Sequence, residues 1–148
     1  MKQLAIFLVF FTVSTFVNAQ CADVSLSAFQ DLQRADPGLK ASKIQDLGFD
    51  PHSDFVIKGV SWRRFHKCWL GKSTYGQAVL WNTTTDQLML LMYDEGQYQT
   101  LRGAIEGRHN SGEAQKGDDY YIGHQFKYRY SVQQLDGVPY FAVAISPK

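Results

Sequence analysis

The clearest periodic pattern in the chain is the alternation of apolar and polar residues from Gln125 to Gln133. The apolar positions of this stretch are Phe126, Tyr128, Tyr130 and Val132. Successive side chains of a strand point to opposite faces, so the stretch predicts a strand with one buried and one solvated face. Asp136-Gly137 is a hairpin signal, and the apolar run from Val138 to Ile145 predicts the returning strand.

Strand patterns also occur in the first half of the chain. Residues 55–60, 77–81 and 87–93 are rich in apolar and β-branched side chains and predict three strands. Leu88 to Met92 is apolar at every position, which is typical of a strand that is covered on both faces. By composition, the segment from Asp50 to Asp54 is a loop.

The stretch from Ser61 to Leu70 fits two kinds of secondary structure. As a helix it would begin at Ser61, end at Gly71 and collect its large aromatic residues on one side. As a strand its alternation is interrupted, and a β-bulge near Arg63-Arg64 would reset it. We favour the strand with a bulge, and the helix is the alternative.

Helical spacing of apolar residues occurs at two main places. The first helix opens at residues 25–29, where the hydroxyl of either Ser25 or Ser27 can cap it, and it ends before Pro37, which cannot continue it. A short second turn or helix is expected at residues 42–47, before a glycine. The second main helix runs from Asp94 to about Arg108, with acids at its start and a base at its end, as the helix dipole favours.

The order of these elements predicts an α+β fold. We expect an antiparallel sheet of about five to six strands, with the two main helices packed on one face. Residues 24–93 and 94–146 each contain a helix followed by a meander. We therefore also expect the two halves to be a degenerate repeat of one helix-plus-meander unit.

The N-terminus predicts export. A short positive segment with Lys2 precedes an apolar run from Leu4 to Val17, and Ala19 suits a signal peptidase. Spanning a membrane takes about 20 apolar residues, and the polar sequence begins too early for a stable span. We predict a cleaved secretory signal at residues 1–19 and a single globular domain at residues 20–148, located outside the cell or in the periplasm.

The two cysteines, Cys21 and Cys68, both lie in the predicted mature domain. An even pair in an oxidising compartment usually forms a disulfide. The loop that it closes would be worth about 4 kcal/mol in the chain-entropy account. Two separate free thiols are the alternative.

The charge of the chain is balanced, with 15 basic and 14 acidic residues. Removal of Lys2 with the signal brings the net charge to zero when the histidines are neutral. This balance does not favour nucleic acid as the main partner.

Motifs for catalysis and cofactors are incomplete in this sequence. The segment 59–63 lacks the second glycine of a nucleophile elbow, and Gly71-Lys72-Ser73 lacks the first glycine of a phosphate loop. The four histidines show no metal-ligand spacing. Asp50, His52 and Asp54 alternate in a way that would let them converge on a cation, but we interpret them as a solvated loop. We therefore predict no catalytic residue, metal ligand or cofactor.

Basic and aromatic residues are concentrated between Asp54 and Asp86, where no acidic residue occurs. Arginine interleaved with aromatic residues is the composition of binding hot spots. The predicted binding residues are Arg63, Arg64, Lys67, Trp69 and Tyr75. Alternatively, the tryptophans belong to the core and the cations form the solvated face of an edge strand.

The functional prediction is an exported non-enzymatic domain that binds a protein partner, in the manner of an inhibitor or immunity protein. The alternative is a module that binds a glycan or peptidoglycan through stacking on aromatic rings. A less favoured reading is a small hydrolase that uses His66 or His124 with a carboxylate. Asn82 begins a glycosylation acceptor pattern, which matters only in a eukaryotic host.

Overall fold

The computed structural model describes residues 21–107 and 114–148. Its helices are α1 (Leu26–Arg34), α2 (Pro37–Asp46) and α3 (Glu95–Glu106). Its strands are β1 (Asp50–Ile57), β2 (Val60–Gly71), β3 (Thr74–Asn82), β4 (Gln87–Met92), β5 (Gln115–Lys116), β6 (Tyr120–Ile122), β7 (Phe126–Leu135) and β8 (Val138–Pro147). The predicted signal peptide at residues 1–19 lies outside the described residues.

All the strands belong to one antiparallel sheet with the order β1-β2-β3-β4-β8-β7-β6-β5. Each half of the chain supplies a four-stranded meander, and the two meanders meet where β4 pairs with β8. The α+β class is therefore confirmed. The prediction of five to six strands was too low, since the sheet has eight.

The prediction missed the short strands β5 and β6 and the first residues of β1. Strand β1 begins at Asp50, although the segment 50–54 was predicted to be a loop. It is an edge strand, and such a strand tolerates Pro51 because one side of its backbone needs no partner. Strand β5 has only two residues, too few for any alternation to be recognised.

The segment that fitted both helix and strand is the long strand β2. Its residues from Arg63 to Lys67 pair with β3 without interruption, so the predicted bulge near Arg63-Arg64 is not there. One register shift instead lies in the neighbouring β1, between His52 and Phe55. A second lies at the end of β2, between Trp69 and Gly71.

The helices begin as their sequences predict. The Ser25 hydroxyl accepts a hydrogen bond from the Ala28 amide at 3.1 Å, and the Asp94 carboxylate accepts one from the Gln97 amide at 3.0 Å. Helix α2 is longer than the turn predicted at residues 42–47, because Pro37 occupies the first helical position rather than only ending α1. The predicted helix end at Arg108 lies outside the described residues.

The sheet separates two buried clusters of apolar side chains. Residues from all three helices join the first cluster, together with sheet residues such as Phe65 and Val143. No residue from these helices joins the second cluster, which includes Trp62, Leu80 and Tyr140. The three helices therefore pack on one face of the sheet, as predicted for the two main ones. No helix of the described part of the chain is long and apolar enough to cross a membrane.

Candidate binding site

The structure places the five predicted binding residues in three environments. Arg63 and Lys67 leave β2 on the face that carries the helices, since they alternate with residues of the opposite cluster. Arg64 lies on the other face. Trp69 and Tyr75 pair with each other at the end of the β2–β3 hairpin. Of the five, Lys67, Trp69 and Tyr75 line one pocket, and Arg63 and Arg64 do not.

The two cations on the helix side are occupied by contacts within the protein. The Arg63 guanidinium lies over the ring of Phe65, at 5.5 Å from its centroid. The Lys67 ammonium donates hydrogen bonds to the carbonyls of Ala22 and Leu47, both at 3.2 Å. Burial lowers the pKa of Lys67, and nearby Asp23 partly opposes that effect. This lysine joins the N-terminal segment to the end of α2.

Arg64 lies on β2, and its buried guanidinium contacts residues of β1 and of the turn after β7. Its side chain is only 5% exposed. It donates to the Ser53 carbonyl at 3.0 Å, to the Ser53 hydroxyl at 2.9 Å and to Asp136 Oδ2 at 2.9 Å. A further contact of 2.6 Å joins Nη2 to His52 Nδ1. These bonds commit Arg64 to the fold, so it does not present a free charge to a partner.

Trp69 is both exposed and held in place. Its side chain is 68% exposed, and the neighbouring Leu70 is 55% exposed. The indole N–H donates to the Lys72 carbonyl at 3.1 Å, across the hairpin turn. Just before it, Cys68 forms the predicted disulfide with Cys21. The hairpin end is therefore fixed by a covalent bond and by a hydrogen bond while the indole ring faces solvent.

A pocket of about 170 Å³ opens beside Trp69. Its lining residues are Asp50, Pro51, His52, His66, Lys67, Cys68, Trp69 and Tyr75. The rings of His52 and His66 are stacked with centroids 4.5 Å apart, and the Tyr75 ring lies 4.0 Å from that of His66. Sequence reasoning missed His52 and Asp50 as parts of a site because it placed them in a loop. Their alternation in the segment 50–54 was the available signal.

His66 is a buried histidine without hydrogen bonds. It is 3% exposed, and neither ring nitrogen has a partner among the described residues. Burial, together with the neighbouring positive charge of Arg64, lowers its pKa from 6.5 to about 4. The imidazole is therefore neutral near pH 7, with one nitrogen as a donor and the other as an acceptor. Buried polar groups without partners are uncommon, which singles out this position.

Asp50 supplies a negative charge to the pocket. It pairs directly with His66 in the β1–β2 register, so both side chains leave the sheet on the same face. Within the described residues, its carboxylate has neither an ion pair nor a hydrogen bond. The same part of the chain contains no group of three or more His, Cys, Asp or Glu side chains arranged to hold a metal ion.

His66 forms no catalytic pair with a carboxylate, because its ring nitrogens have no hydrogen-bond partner among the described residues. No protein-family model matches the chain, and neither curated proteins nor solved structures gave a significant match. The pocket and the hairpin end are therefore interpreted from their own geometry.

Proposed function

We propose that this protein is an exported non-enzymatic domain that binds a protein partner through the end of the β2–β3 hairpin. The observation that supports the proposal is the fixed and exposed ring of Trp69. Tryptophan is among the residues that contribute most to binding energy when a partner buries them. A ring that is already held in position loses little conformational freedom on binding.

The surroundings of Trp69 suit a protein interface. The next residue, Leu70, is also exposed, and Tyr75 adds a second aromatic side chain next to the pocket. Single exposed apolar residues are ordinary. Here two aromatic side chains, Trp69 and Tyr75, line the same pocket at a hairpin end that is fixed by the disulfide, which is the kind of anchor that an inhibitor or immunity protein uses.

Export is part of the same proposal. A structural disulfide such as Cys21–Cys68 is typical of an oxidising compartment, and the N-terminal sequence has the pattern of a cleaved signal. Both features favour a protein that acts in the periplasm or outside the cell. Since the disulfide also fixes the hairpin end, the compartment and the binding surface are physically linked.

Affinity capture with matched variants tests the proposal. The mature domain is immobilised and exposed to the extracellular or envelope fraction of its source. We expect Trp69→Ala to lose a specific protein that both the wild type and Val132→Ala retain. Val132 is a suitable control because it is a large apolar residue that is 59% exposed on β7, in the other half of the chain. Equal capture by all three proteins would contradict the proposal.

The same variants decide between a protein and a glycan. A panel of polysaccharides is titrated while tryptophan emission is followed. Trp62 and Trp81 are buried, so a quench by an added glycan reports on Trp69. We expect no saturable quench by any polysaccharide. A saturable quench that is absent in Trp69→Ala would replace the protein partner by a glycan.

A further inference from the structure

We propose that the pocket beside Trp69 binds a single organic cation, either an ammonium or a guanidinium group. The inference rests on the proposed function for one point only, namely that the cation belongs to a lysine or arginine side chain of the protein partner. The pocket itself, its rings and its carboxylate are features of this chain alone.

The walls of the pocket are suited to a cation. Four of its lining side chains are aromatic: His52, His66, Trp69 and Tyr75. The faces of tryptophan and tyrosine rings attract cations, and cages of such rings recognise ammonium groups. A cavity of about 150 Å³ is known to accommodate a benzene molecule. The volume of about 170 Å³ therefore suits one cationic head group.

The hydrogen-bonding groups that remain free in the pocket are mainly acceptors. Among the described residues, the Asp50 carboxylate, the Tyr75 hydroxyl and both nitrogens of neutral His66 lack partners. The carboxylate only accepts, whereas the hydroxyl and the imidazole each offer one acceptor and one donor. Ammonium and guanidinium groups only donate. Such a ligand would supply the donors that these oxygens and the acceptor nitrogen of His66 lack.

The charged donors and the indole N–H around the pocket are already used, which leaves the His66 N–H and the Tyr75 O–H as the free donors in the described part of the chain. Arg64 is bonded to Asp136, Ser53 and His52, and the Lys67 ammonium is bonded to two carbonyls. The Trp69 indole N–H is bonded to a carbonyl of its own turn. An anion would find few free donors here and would face the Asp50 carboxylate. This accounting favours a cation over an anion.

A substitution at Asp50 tests the cation site most directly, because this exposed residue supplies the negative charge of the pocket and is not part of the apolar core. Asp50→Asn keeps the shape of an exposed side chain and removes the negative charge. Asp54→Asn is the matched control, since Asp54 is an exposed acid on the same strand that does not line the pocket. Both variants are expected to melt at the wild-type temperature, which would show that they are folded.

The test is a titration of the oxidised, folded domain with small cations, followed by tryptophan emission. The probes are choline, N-acetyl-lysine amide and N-acetyl-arginine amide, and 3,3-dimethyl-1-butanol serves as the neutral isostere of choline. We expect saturable binding of at least one cation and none of the neutral alcohol. Asp50→Asn should weaken this binding about two- to fivefold, the loss of one exposed ionic contact. Asp54→Asn should leave it unchanged.

The outcomes separate this inference from the proposed function. Saturation by choline alone supports a site for a free ammonium compound, whereas saturation by the lysine or arginine derivative supports a partner side chain. Absence of saturation, or equal binding by Asp50→Asn, would overturn the cation site even if Trp69→Ala still abolishes partner capture. If cations bind but Trp69→Ala captures the partner normally, the site stands and the proposed function fails.

Discussion

The Arg64 guanidinium contacts the Asp136 carboxylate at 2.9 Å, although 72 positions separate the two residues in the chain. Arg64 lies on β2, and Asp136 lies in the turn between β7 and β8. In the sheet, β3, β4 and β8 lie between these strands, which in a flat sheet would set β2 and β7 about 19 Å apart. The contact shows that the sheet is strongly curved, so that the turn after β7 lies close to β2.

We expect the substitution Asp136→Asn to lower the free energy of unfolding by about 1–2 kcal/mol. Hydrogen bonds to charged groups are worth about 1.5–3 kcal/mol, and the 42% exposure of Asp136 reduces that value. Asparagine also tolerates the positive φ of 51° at this position, so the turn is retained. Denaturant unfolding gives the result, with Asp54→Asn as a control of equal charge change. A loss no larger than that of the control would show that the contact does not stabilise the curved sheet.

Acid should destabilise the protein through His66. In the unfolded chain this histidine binds a proton below about pH 6.5, whereas in the folded protein its pKa is lowered to about 4 by burial. Between these values the unfolded state binds more protons, so the free energy of unfolding falls as the pH falls from 6.5 to 4. The expected contribution is up to about 3 kcal/mol, at about 1.4 kcal/mol per pKa unit.

The variant His66→Gln isolates this contribution. As the pH is lowered from 6.5 to 4, the free energy of unfolding of the variant should rise steadily relative to that of the wild type. The reason is that the variant lacks the histidine whose protonation favours unfolding. Urea unfolding at a series of pH values measures the difference. A difference between the two proteins that does not change with pH would contradict the buried neutral state of His66.

Loss of the disulfide should destabilise the domain by about 2–4 kcal/mol. The bond joins residues 47 positions apart, and the chain-entropy account assigns about 4 kcal/mol to a loop of this size. The paired variant Cys21→Ser, Cys68→Ser is compared with the wild type with and without a reductant. Reduction should bring the wild type to the stability of the variant and should leave the variant unchanged.

Gly76→Ala should destabilise the oxidised protein by about 1–3 kcal/mol, the usual cost of inserting a methyl group into a packed site. A Cβ atom at this position would lie 3.1 Å from Cys68 Cβ and 3.2 Å from Cys21 Cβ. The cost should shrink when the disulfide is absent, because the segment with Cys21 can then move aside. Gly103→Ala is the control: it meets nothing within 4 Å in α3 and should be neutral or stabilising. A loss at Gly76 that is the same with and without the disulfide would rule out this packing.

Periodicity sufficed for the parts of the fold that bury a regular face. Strand β7 was predicted from its alternation, and Phe126, Tyr128 and Tyr130 are buried as expected. Val132 has the same parity but is 59% exposed and does not join the cluster under the helices. The alternation therefore located the strand correctly, but it did not show which of the apolar residues on that face are buried.

The pocket could not be assembled from the sequence. It depends on β1 pairing with β2 in a register that sets Asp50 opposite His66. The residues of β1 favour turns, and its bulge disrupts alternation between His52 and Phe55. Tertiary pairing overrides local preference at such an edge strand. The aromatic and basic composition pointed to Trp69 and Tyr75, which line the pocket. The burial of Arg64 could not be predicted in this way, because its ion pair is with Asp136 in a distant turn.

Site-specific photo-crosslinking at Leu70 tests most directly whether the hairpin end is the binding surface. A photoreactive amino acid is placed at Leu70 in one sample and at Val132 in another, two exposed apolar positions of similar accessibility. The samples are irradiated in the native extracellular or envelope fraction. We expect one discrete crosslinked protein from position 70 and none from position 132. A crosslink to the same protein from position 132 alone, or none from position 70, would contradict a partner surface at Trp69.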